Sequence, residues 1–205
     1  MRRVLADLLD AVLPATCVAC GSPGVAVCAG CAATARPAPA GPCPPGADWI
    51  GAAYVYEGAV REAIARAKYR DHRAVVSWLA RGIDGVFPEW CEFDVVTWAP
   101  ASAARTRARG FDHAQLLARA VGRRRDLPVR RLLARAPGPA QTGRGAAERR
   151  AGPRLIPAGS APPSVLLVDD VVTTGATASA AARALRRAGA GFVAVATAAR
   201  TIRHG

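Results

Sequence analysis

Two adjacent aspartates, Asp169 and Asp170, follow an unbroken apolar run at residues 165–168. Such a run is typical of a central strand in a parallel sheet, and we expect the strand to end at the aspartates. Neighbouring carboxylates at that point repel each other and lose hydration unless a bound group compensates them. A sugar or a metal ion would do so, because carboxylates accept strong hydrogen bonds from ribose hydroxyls. We therefore expect the pair to bind a ligand.

A hydroxyl-rich turn follows the aspartates and leads into an alanine-rich helix. The turn consists of Thr173, Thr174, Gly175, Ala176 and Thr177. Gly175 lets the backbone approach a ligand closely, and the free N–H groups of a helix start favour a phosphate. The chain has neither the lysine-containing loop of Walker-type NTPases nor the glycine pattern of dinucleotide folds. Aspartates and turn together fit a ribose 5-phosphate; an ordinary strand–turn–helix with a threonine cap is the alternative.

Four of the six cysteines form two Cys-x2-Cys pairs, Cys17 with Cys20 and Cys28 with Cys31. Two such turns can close a tetrahedral shell of four thiolates with no position left for water, which predicts a structural zinc site. Two disulfides are the alternative, but they require an oxidising compartment, and we find no export signal. Cys43 is either a spare ligand or a residue without a role. Cys91 is expected to be a small buried residue.

The net charge of +13 on these 205 residues is concentrated in the centre of the chain. Residues 99–150 hold 13 arginines against Asp112, Asp126 and Glu148, a net charge of +10. This suggests a polyphosphate or nucleic-acid partner, with a solvated arginine-rich surface as the alternative. Hydrophobic residues make up 51% and charged residues 21%, which is a globular composition and excludes a disordered chain.

The N-terminal residues 1–13 superficially resemble a secretion signal. Asp7 and Asp10 interrupt their apolar stretch, and no clean cleavage site follows. Because the apolar side chains recur at helical spacing, we interpret the segment as an amphipathic docking helix in a cytoplasmic protein. No apolar run approaches the roughly 20 residues that span a bilayer, so no membrane span is expected.

The order of the predicted elements indicates an α/β fold with a largely parallel sheet covered on both faces. Strands are predicted at 49–56, 93–98, 129–133, 164–168 and 192–196, and helices at 59–69, 74–83, 114–125 and 178–188. Residues 99–110 are predicted to form a basic loop and 134–153 a long mobile loop. We place an N-terminal unit with a proline-rich linker at 1–47 and the main domain at 48–205. Ligands of such sheets bind beyond the carboxyl ends of the strands.

Residues 168–177, VDDVVTTGAT, resemble the binding fingerprint for phosphoribosyl pyrophosphate (PRPP) in type I phosphoribosyltransferases. The wider layout resembles one branch of that class, the ComF (competence protein F) family. This second resemblance rests on the cysteine module and on residues 54–58, 68–70, 109–111 with Ala114, 141–143 and 148–150. It covers nearly the whole chain. It implies a type I phosphoribosyltransferase fold with a small N-terminal zinc-binding module.

The resemblance also implies roles for particular residues. Asp169 and Asp170 would be the catalytic pair and hold the ribose hydroxyls with the help of Mg²⁺, and the turn at 173–177 would hold the 5-phosphate. The loop after the strand at 93–98 would bind pyrophosphate; its residues are Pro100, Arg105, Arg107 and Arg109. Residues 134–153 would form a lid that excludes water.

Three segments depart from the family pattern. Pro100 is the single proline of a loop that often reads Pro-Val-Pro, and Asp112 and His113 replace the usual Asn-Gln. Cys43 stands alone where the family commonly has a third Cys-x2-Cys. These departures concern pyrophosphate handling and the number of cysteine ligands more than the fold.

Two functions are compatible with these residues. The first is an enzyme that transfers the phosphoribosyl group of PRPP to an acceptor that the sequence does not identify, releasing pyrophosphate. The second is a non-catalytic competence factor for DNA uptake that binds single-stranded DNA or partner proteins on the same scaffold. The basic stretch favours DNA, whereas its single aromatic residue, Phe111, opposes a stacking platform.

Other polar and aromatic residues are given ordinary structural interpretations. Arginines 123–125 are equally explained as a helix end, where cations meet the negative pole of the helix. For His113 and Lys68 we favour solvated positions over roles as a general base and a phosphate ligand. The four tryptophans are expected in the core or at its edge.

Overall fold

The computed structural model describes residues 16–68, 73–88, 90–136 and 152–202. Helices in this part of the chain are α1 (Ala29–Ala33), α2 (Gly58–Ala67), α3 (Arg73–Asp84), α4 (Ala103–Arg109), α5 (His113–Arg125) and α6 (Ala176–Arg187). Strands are β1 (Trp49–Val55), β2 (Val95–Trp98), β3 (Leu133–Arg135), β4 (Leu155–Pro157), β5 (Ser164–Val172) and β6 (Phe192–Arg200). The helix predicted at 1–13 and most of the loop predicted at 134–153 lie outside the described residues.

Four strands form the central sheet, in the order β1-β6-β5-β2, and every pairing between them is parallel. Apolar side chains of β5 and β6 alternate between two core clusters. One cluster packs against α2, α3 and α5, and the other against α6 and the β3–β4 hairpin. The prediction of an α/β fold with a parallel sheet covered on both faces is confirmed.

The strand β5 does not end at the aspartates, as the sequence suggested, but continues to Val172. Asp169 is paired with Thr197 of β6, and Val172 with Arg200. The sequence interpretation was wrong here because ladder hydrogen bonds join backbone groups and do not depend on the polarity of the side chains. β6 supplies a partner along this whole length, so both strands are longer than predicted.

The predicted basic loop at 99–110 contains a helix, α4. Ser102 caps it by accepting a hydrogen bond from the N–H of Arg105 at 3.3 Å. Alanine and arginine are good helix formers, so the segment forms a helix once serine provides the cap. The loop prediction was wrong because it weighed the charge of the segment and not these propensities.

The strand predicted at 129–133 is displaced along the chain. Val129 forms a single parallel bridge with Val96, and the strand β3 begins at Leu133. β3 pairs antiparallel with β4, which the sequence analysis did not predict. The buried side chains of Leu133 and Leu155 pack with α6 in one core cluster, so tertiary contact stabilises this short hairpin.

Residues 36–48, named the proline-rich strap from here on, lie against the main domain. Val55 donates a backbone hydrogen bond to the Arg36 carbonyl at 2.9 Å, and Ala38 donates to Ala53 at 3.1 Å. Further along, the Ser179 hydroxyl of α6 donates to the Pro45 carbonyl at 3.0 Å. The strap thus contacts both the outer edge of β1 and the surface of α6. The domain boundary between residues 47 and 48 stays a prediction.

The tryptophans occupy different environments. Trp78 and Trp98 are buried and Trp49 is half-buried, as expected of core and core-edge residues. Trp90 is 63% exposed, and its ring meets the edge of Phe192 at 6.3 Å. Within the described ranges, no helix combines the length and the apolar character needed to cross a bilayer.

Candidate functional site

Asp170, near the end of β5, is the centre of a cluster of charged side chains. His113 Nε2 lies 2.8 Å from its Oδ2 atom, and Lys68 Nζ lies 3.3 Å from the same oxygen. The exposed fractions of these side chains are 17% for Asp170, 12% for His113 and 28% for Lys68. The interpretation of His113 and Lys68 as solvated residues is therefore wrong.

His113 is held in place by the residue before it. Asp112 caps α5 by accepting a hydrogen bond from the N–H of Ala114 at 3.1 Å. Its other carboxylate oxygen accepts hydrogen bonds from Trp98 Nε1 at 3.2 Å and from the N–H of Ala101 at 2.9 Å. Asp112 therefore joins the start of α5 to the end of β2, which fixes His113 beside β5. Its capping role is a signal that the sequence carried, since aspartate before an apolar helix is a common cap.

The two aspartates have opposite pKa shifts. Burial, together with the negative charge of Asp170, raises the pKa of Asp169 well above its ordinary value. Burial also opposes ionisation of Asp170, but the hydrogen bond and charge of His113 and the charge of Lys68 outweigh it and lower its pKa. Asp170 is therefore the carboxylate that carries charge, and Asp169 is the one that retains a proton more readily. The pair therefore offers an ionised carboxylate, Asp170, that accepts hydrogen bonds, beside a carboxyl, Asp169, that can donate one.

The turn after β5 leaves the start of α6 open. Gly175 adopts a left-handed conformation with φ 74° and, as the N-cap residue, has no side chain with which to cap the helix. Thr173 and Thr174 are exposed, and the Thr174 hydroxyl accepts a long hydrogen bond of 3.4 Å from the Ala176 N–H. An uncapped helix start of this kind can take an anion, because its N–H groups and its positive pole point the same way.

The predicted pyrophosphate residues lie at the neighbouring strand end. Pro100 is buried, and its carbonyl accepts a hydrogen bond from Arg135 Nε at 2.8 Å. Arg105, Arg107 and Arg109 all lie on α4. At helical spacing Arg105 and Arg109 share a face, whereas Arg107 points away from both. The pyrophosphate role of Pro100 and of these arginines stays a prediction.

Cavities of about 320 and 510 Å³ lie on two sides of the described part of the chain. The smaller is lined mainly by β4 and α6, and the larger by the proline-rich strap, β1 and α3. Neither has Asp169, Asp170 or a residue of the 173–177 turn in its lining. The structure thus brings the predicted ribose and phosphate residues to one edge of the sheet, outside both cavities.

The four cysteines predicted to bind zinc lie together. The Sγ atoms of Cys17, Cys20, Cys28 and Cys31 are all within 4.8 Å of one another, and those of Cys20 and Cys28 are 3.6 Å apart. Thiolates at the Zn–S distance around a tetrahedral ion are about 3.8 Å apart, so the donor set fits zinc. All six cysteines of the chain are free thiols, and the alternative of two disulfides is not observed.

The environments of these thiols differ. Backbone hydrogen bonds, first from Cys28, lower the pKa of Cys17 to about 6. The neighbouring thiols, first Cys20 and then Cys28, raise the pKa of Cys31 to about 12. Cys43 lies outside the cluster, with its Sγ donating to the Ala47 carbonyl at 3.4 Å. Cys91 is 4% exposed in the core, which confirms the prediction for it.

Two of the three arginines at 123–125 are engaged within the fold. Arg124 and Arg125 each contact a different oxygen of Asp84 at 3.1 Å. The Arg125 guanidinium also lies over the ring of Phe87, 4.6 Å from its centroid. These contacts join the end of α5 to the end of α3. They support the interpretation of this cluster as a helix end over that of a free basic surface.

The described part of the chain is thus an α/β unit with an acidic strand end and a cluster of four cysteines. No protein-family profile matches the chain, and no curated protein does. It is similar to a solved allosteric regulatory enzyme of purine biosynthesis, with 21% identity and a TM-score of 0.39 over 67% of this chain. It is also similar to glutamine PRPP amidotransferase from B. subtilis complexed with ADP and GMP, with 22% identity and a TM-score of 0.43 over 66% of this chain. The matches span 26% and 30% of those two chains.

Proposed function

We propose that this chain is a phosphoribosyltransferase of the ComF family that binds PRPP at the carboxyl end of β5. The observation that carries the proposal is the pair of aspartates with opposite pKa shifts, of which Asp170 lies six residues before Ala176, the first residue of α6. A ribose with a 5-phosphate requires acceptors for its hydroxyls and donors for its phosphate, in this order along the sugar. The strand end and the turn offer these two groups next to each other.

In this proposal the aspartates bind the ribose. Asp170 accepts a hydrogen bond from one hydroxyl, and Asp169, as the more readily protonated carboxyl, exchanges hydrogen bonds with the other. His113 and Lys68 hold Asp170 in its charged form through their contacts of 2.8 and 3.3 Å with Oδ2. They act on the sugar through that carboxylate, which makes them positioning residues.

The turn at 173–177 binds the 5-phosphate, with the N–H groups at the start of α6 and the threonine hydroxyls as donors. Thr173 and Thr174 are exposed, so the phosphate can reach them from solvent. These donors are neutral, so the turn binds the phosphate without adding positive charge to the site.

In the reaction, a nucleophilic atom of the acceptor forms a bond to C1 of the ribose, and the bond from C1 to the pyrophosphate oxygen breaks with its electron pair. Arg105 and Arg109, on one face of α4, are the candidates for binding the departing pyrophosphate. Ionised carboxylate oxygens are ligands that Mg²⁺ prefers, so Asp170, and Asp169 once it has lost its proton, would hold this ion, which would neutralise negative charge of PRPP. Holding the acceptor and the sugar in the orientation for reaction accelerates the transfer further.

We further propose that Cys17, Cys20, Cys28 and Cys31 hold a zinc ion with a structural role. The cluster has four sulfur donors, which leaves no open position for a substrate. The DNA-uptake alternative stays a prediction, and the contacts of Arg124 and Arg125 with Asp84 reduce the basic surface available for it.

Calorimetry of PRPP with and without Mg²⁺ tests the proposal, using Gly175→Ala and its matched control Gly189→Ala. Both glycines have positive φ, 74° and 104°, at the two ends of α6, and a new Cβ at either would have its nearest contact at 3.8 Å. Both substitutions place a Cβ on a backbone with positive φ, at a cost of roughly 1–2 kcal/mol each. We expect Gly175→Ala to weaken Mg²⁺-dependent PRPP binding at least about tenfold, because the phosphate lies against this turn.

The control should bind as the wild type does, and Asp170→Asn should lose binding as well. Equal PRPP affinity in all three variants would refute the site. Failure of the wild-type chain to bind PRPP would refute the function.

A further inference from the structure

A second group of ligand-type side chains lies around the outer strand of the sheet. The cavity of about 510 Å³ opens between the proline-rich strap, β1, the end of α3 and Arg200. Arg81, Tyr54 and Arg200 supply its side-chain polar groups, and no acidic residue is among its lining residues. It shares no residue with the aspartate pair or the turn at 173–177.

Arg200, the last residue of β6, is a buried arginine whose guanidinium has an unsatisfied nitrogen. It is 9% exposed, and its Nε atom is buried with no hydrogen-bond partner among the described residues. A Cβ built on Gly41 would lie 1.8 Å from Nη1, so the guanidinium packs directly on the strap. Burial lowers the pKa of Arg200, and no carboxylate of the described residues forms an ion pair with it. A buried guanidinium that no described carboxylate compensates is costly, so it favours an anion bound beside it.

Two further donors face the same cavity. Arg81 lies in the last turn of α3, and it forms no ion pair with the described residues. The ring of Tyr54 is stacked on Trp78, with centroids 5.0 Å apart and planes 7° from parallel. This stacking fixes the direction of the phenol. Arg81 lies near enough to Tyr54 to act on the phenol electrostatically, so the two belong to one group of donors.

We propose that this cavity binds the phosphate group of a small phosphorylated molecule, held by Arg200 and Arg81 with the Tyr54 hydroxyl as a third donor. Two guanidinium groups without an acid suit a group that carries two negative charges, and the planar fork of arginine matches phosphate oxygens. The volume lies within the range of sites for small molecules, about 300–1,000 Å³, and exceeds that of a phosphate alone. Proline and alanine side chains of the strap offer apolar walls for the remainder of the ligand.

Titration at constant ionic strength tests this site, with inorganic phosphate, adenosine 5′-monophosphate and adenosine as probes. The variants are Arg200→Met, Arg81→Gln and the control Arg123→Gln. Arg123 matches Arg81 because it also lies in the last turn of a helix and is exposed. We expect phosphate affinity to fall about tenfold to a hundredfold in Arg200→Met, less in Arg81→Gln and not at all in the control. Tighter binding of the nucleotide than of phosphate, with none of adenosine, would identify a phosphate ester as the ligand class.

Thermal unfolding without ligand separates a binding role of Arg200 from a structural one. If Arg200 serves a ligand, Arg200→Met removes an uncompensated charge, and the unfolding temperature stays the same or rises. A lower unfolding temperature with phosphate binding intact would overturn the inference.

Gly175→Ala distinguishes this cavity from the proposed PRPP site. Phosphate binding that is lost in Gly175→Ala and retained in Arg200→Met would place the anion at the 173–177 turn and overturn the inference. The converse result supports this cavity whether or not PRPP binds at the turn. Absence of saturable phosphate binding to the wild-type chain would overturn it as well.

Discussion

The cysteine cluster and the aspartate site both gather ionisable groups, but they are assembled differently. The four cysteines lie within 15 residues of one another, between Cys17 and Cys31. The groups around Asp170 come from α2, α5 and β5, and His113 is 57 residues away from Asp170 in the chain. One site is made by two local turns, and the other exists only after the sheet and two helices have packed.

This difference determines how each site depends on the fold. The thiols face one another in a small region, which suits a single metal ion bound by all four. The Asp170 carboxylate already has His113 Nε2, Lys68 Nζ and the Val171 N–H, at 2.8 Å from Oδ1, as partners. The cysteine cluster is therefore expected to depend on its metal, and the aspartate site on the packing of its elements.

The largest expected effect is loss of the metal from the cysteine cluster. Cys28→Ser should lose the bound zinc and the protection of amides near the cluster, since apparent zinc binding in small finger modules contributes about 10–16 kcal/mol. Metal analysis together with hydrogen exchange measures both effects. Cys43→Ser is the control, because Cys43 lies outside the cluster and should keep one zinc per chain. Equal zinc content in the two variants would contradict a four-cysteine site.

A smaller effect is expected from Asp170→Asn, which leaves His113 and Lys68 without their anion. The free energy of unfolding should fall by about 2–4 kcal/mol in urea at pH 7, because a largely buried ion pair loses one partner. The native pKa of Asp170 is lowered, so its contribution is present above the unfolded pKa of about 4 and is lost as pH falls. Asp126→Asn is the control: Asp126 is exposed at a left-handed position that asparagine tolerates. If Asp170→Asn lost no more unfolding free energy than Asp126→Asn, the contacts of Asp170 with His113 and Lys68 would not stabilise the fold.

The smallest effect has the opposite sign and concerns Asp169. Its native pKa is raised, so the native state holds this proton more tightly than the unfolded state does. The stability that it contributes is present below the unfolded pKa of about 4 and is lost as pH rises toward the raised native pKa. Asp169→Asn should therefore stabilise the fold by about 1 kcal/mol at pH 8 and have less effect at pH 4.5. Urea unfolding at both pH values is the measurement, and a pH-independent difference would contradict the raised pKa.

Local patterns accounted for the features that the sequence predicted well. The cysteine spacing predicted a cluster of four thiols, and the alternation of apolar strands and helices predicted the parallel sheet. The cysteine cluster depends on residues within a few positions of each other. The sheet depends on apolar runs that are long enough to form buried strands. The order of strands in the sheet was beyond such patterns, because it depends on which strands pair.

Features that depend on distant contacts were missed. Lys68 and His113 each look like an ordinary residue at a helix end, and only the packing of α2 and α5 on the sheet brings them to Asp170. Arg200 is likewise unremarkable in sequence, since its burial depends on Gly41 of the strap. Pairing of β3 with β4 joins segments about 20 residues apart, and each is too short to show a period of its own.

The proline-rich strap has a consequence for how the chain behaves among its own copies. It covers the outer side of β1, with the Arg36 carbonyl and the Ala38 N–H directed toward that strand. Pro37 and Pro39 alternate with these residues along the strap, so their backbone groups are directed away from β1. As prolines they have no N–H there. A second molecule that approached this flank would find no N–H at these two positions with which to extend the ladder. The strap thus closes an edge that would otherwise recruit further strands and seed aggregates.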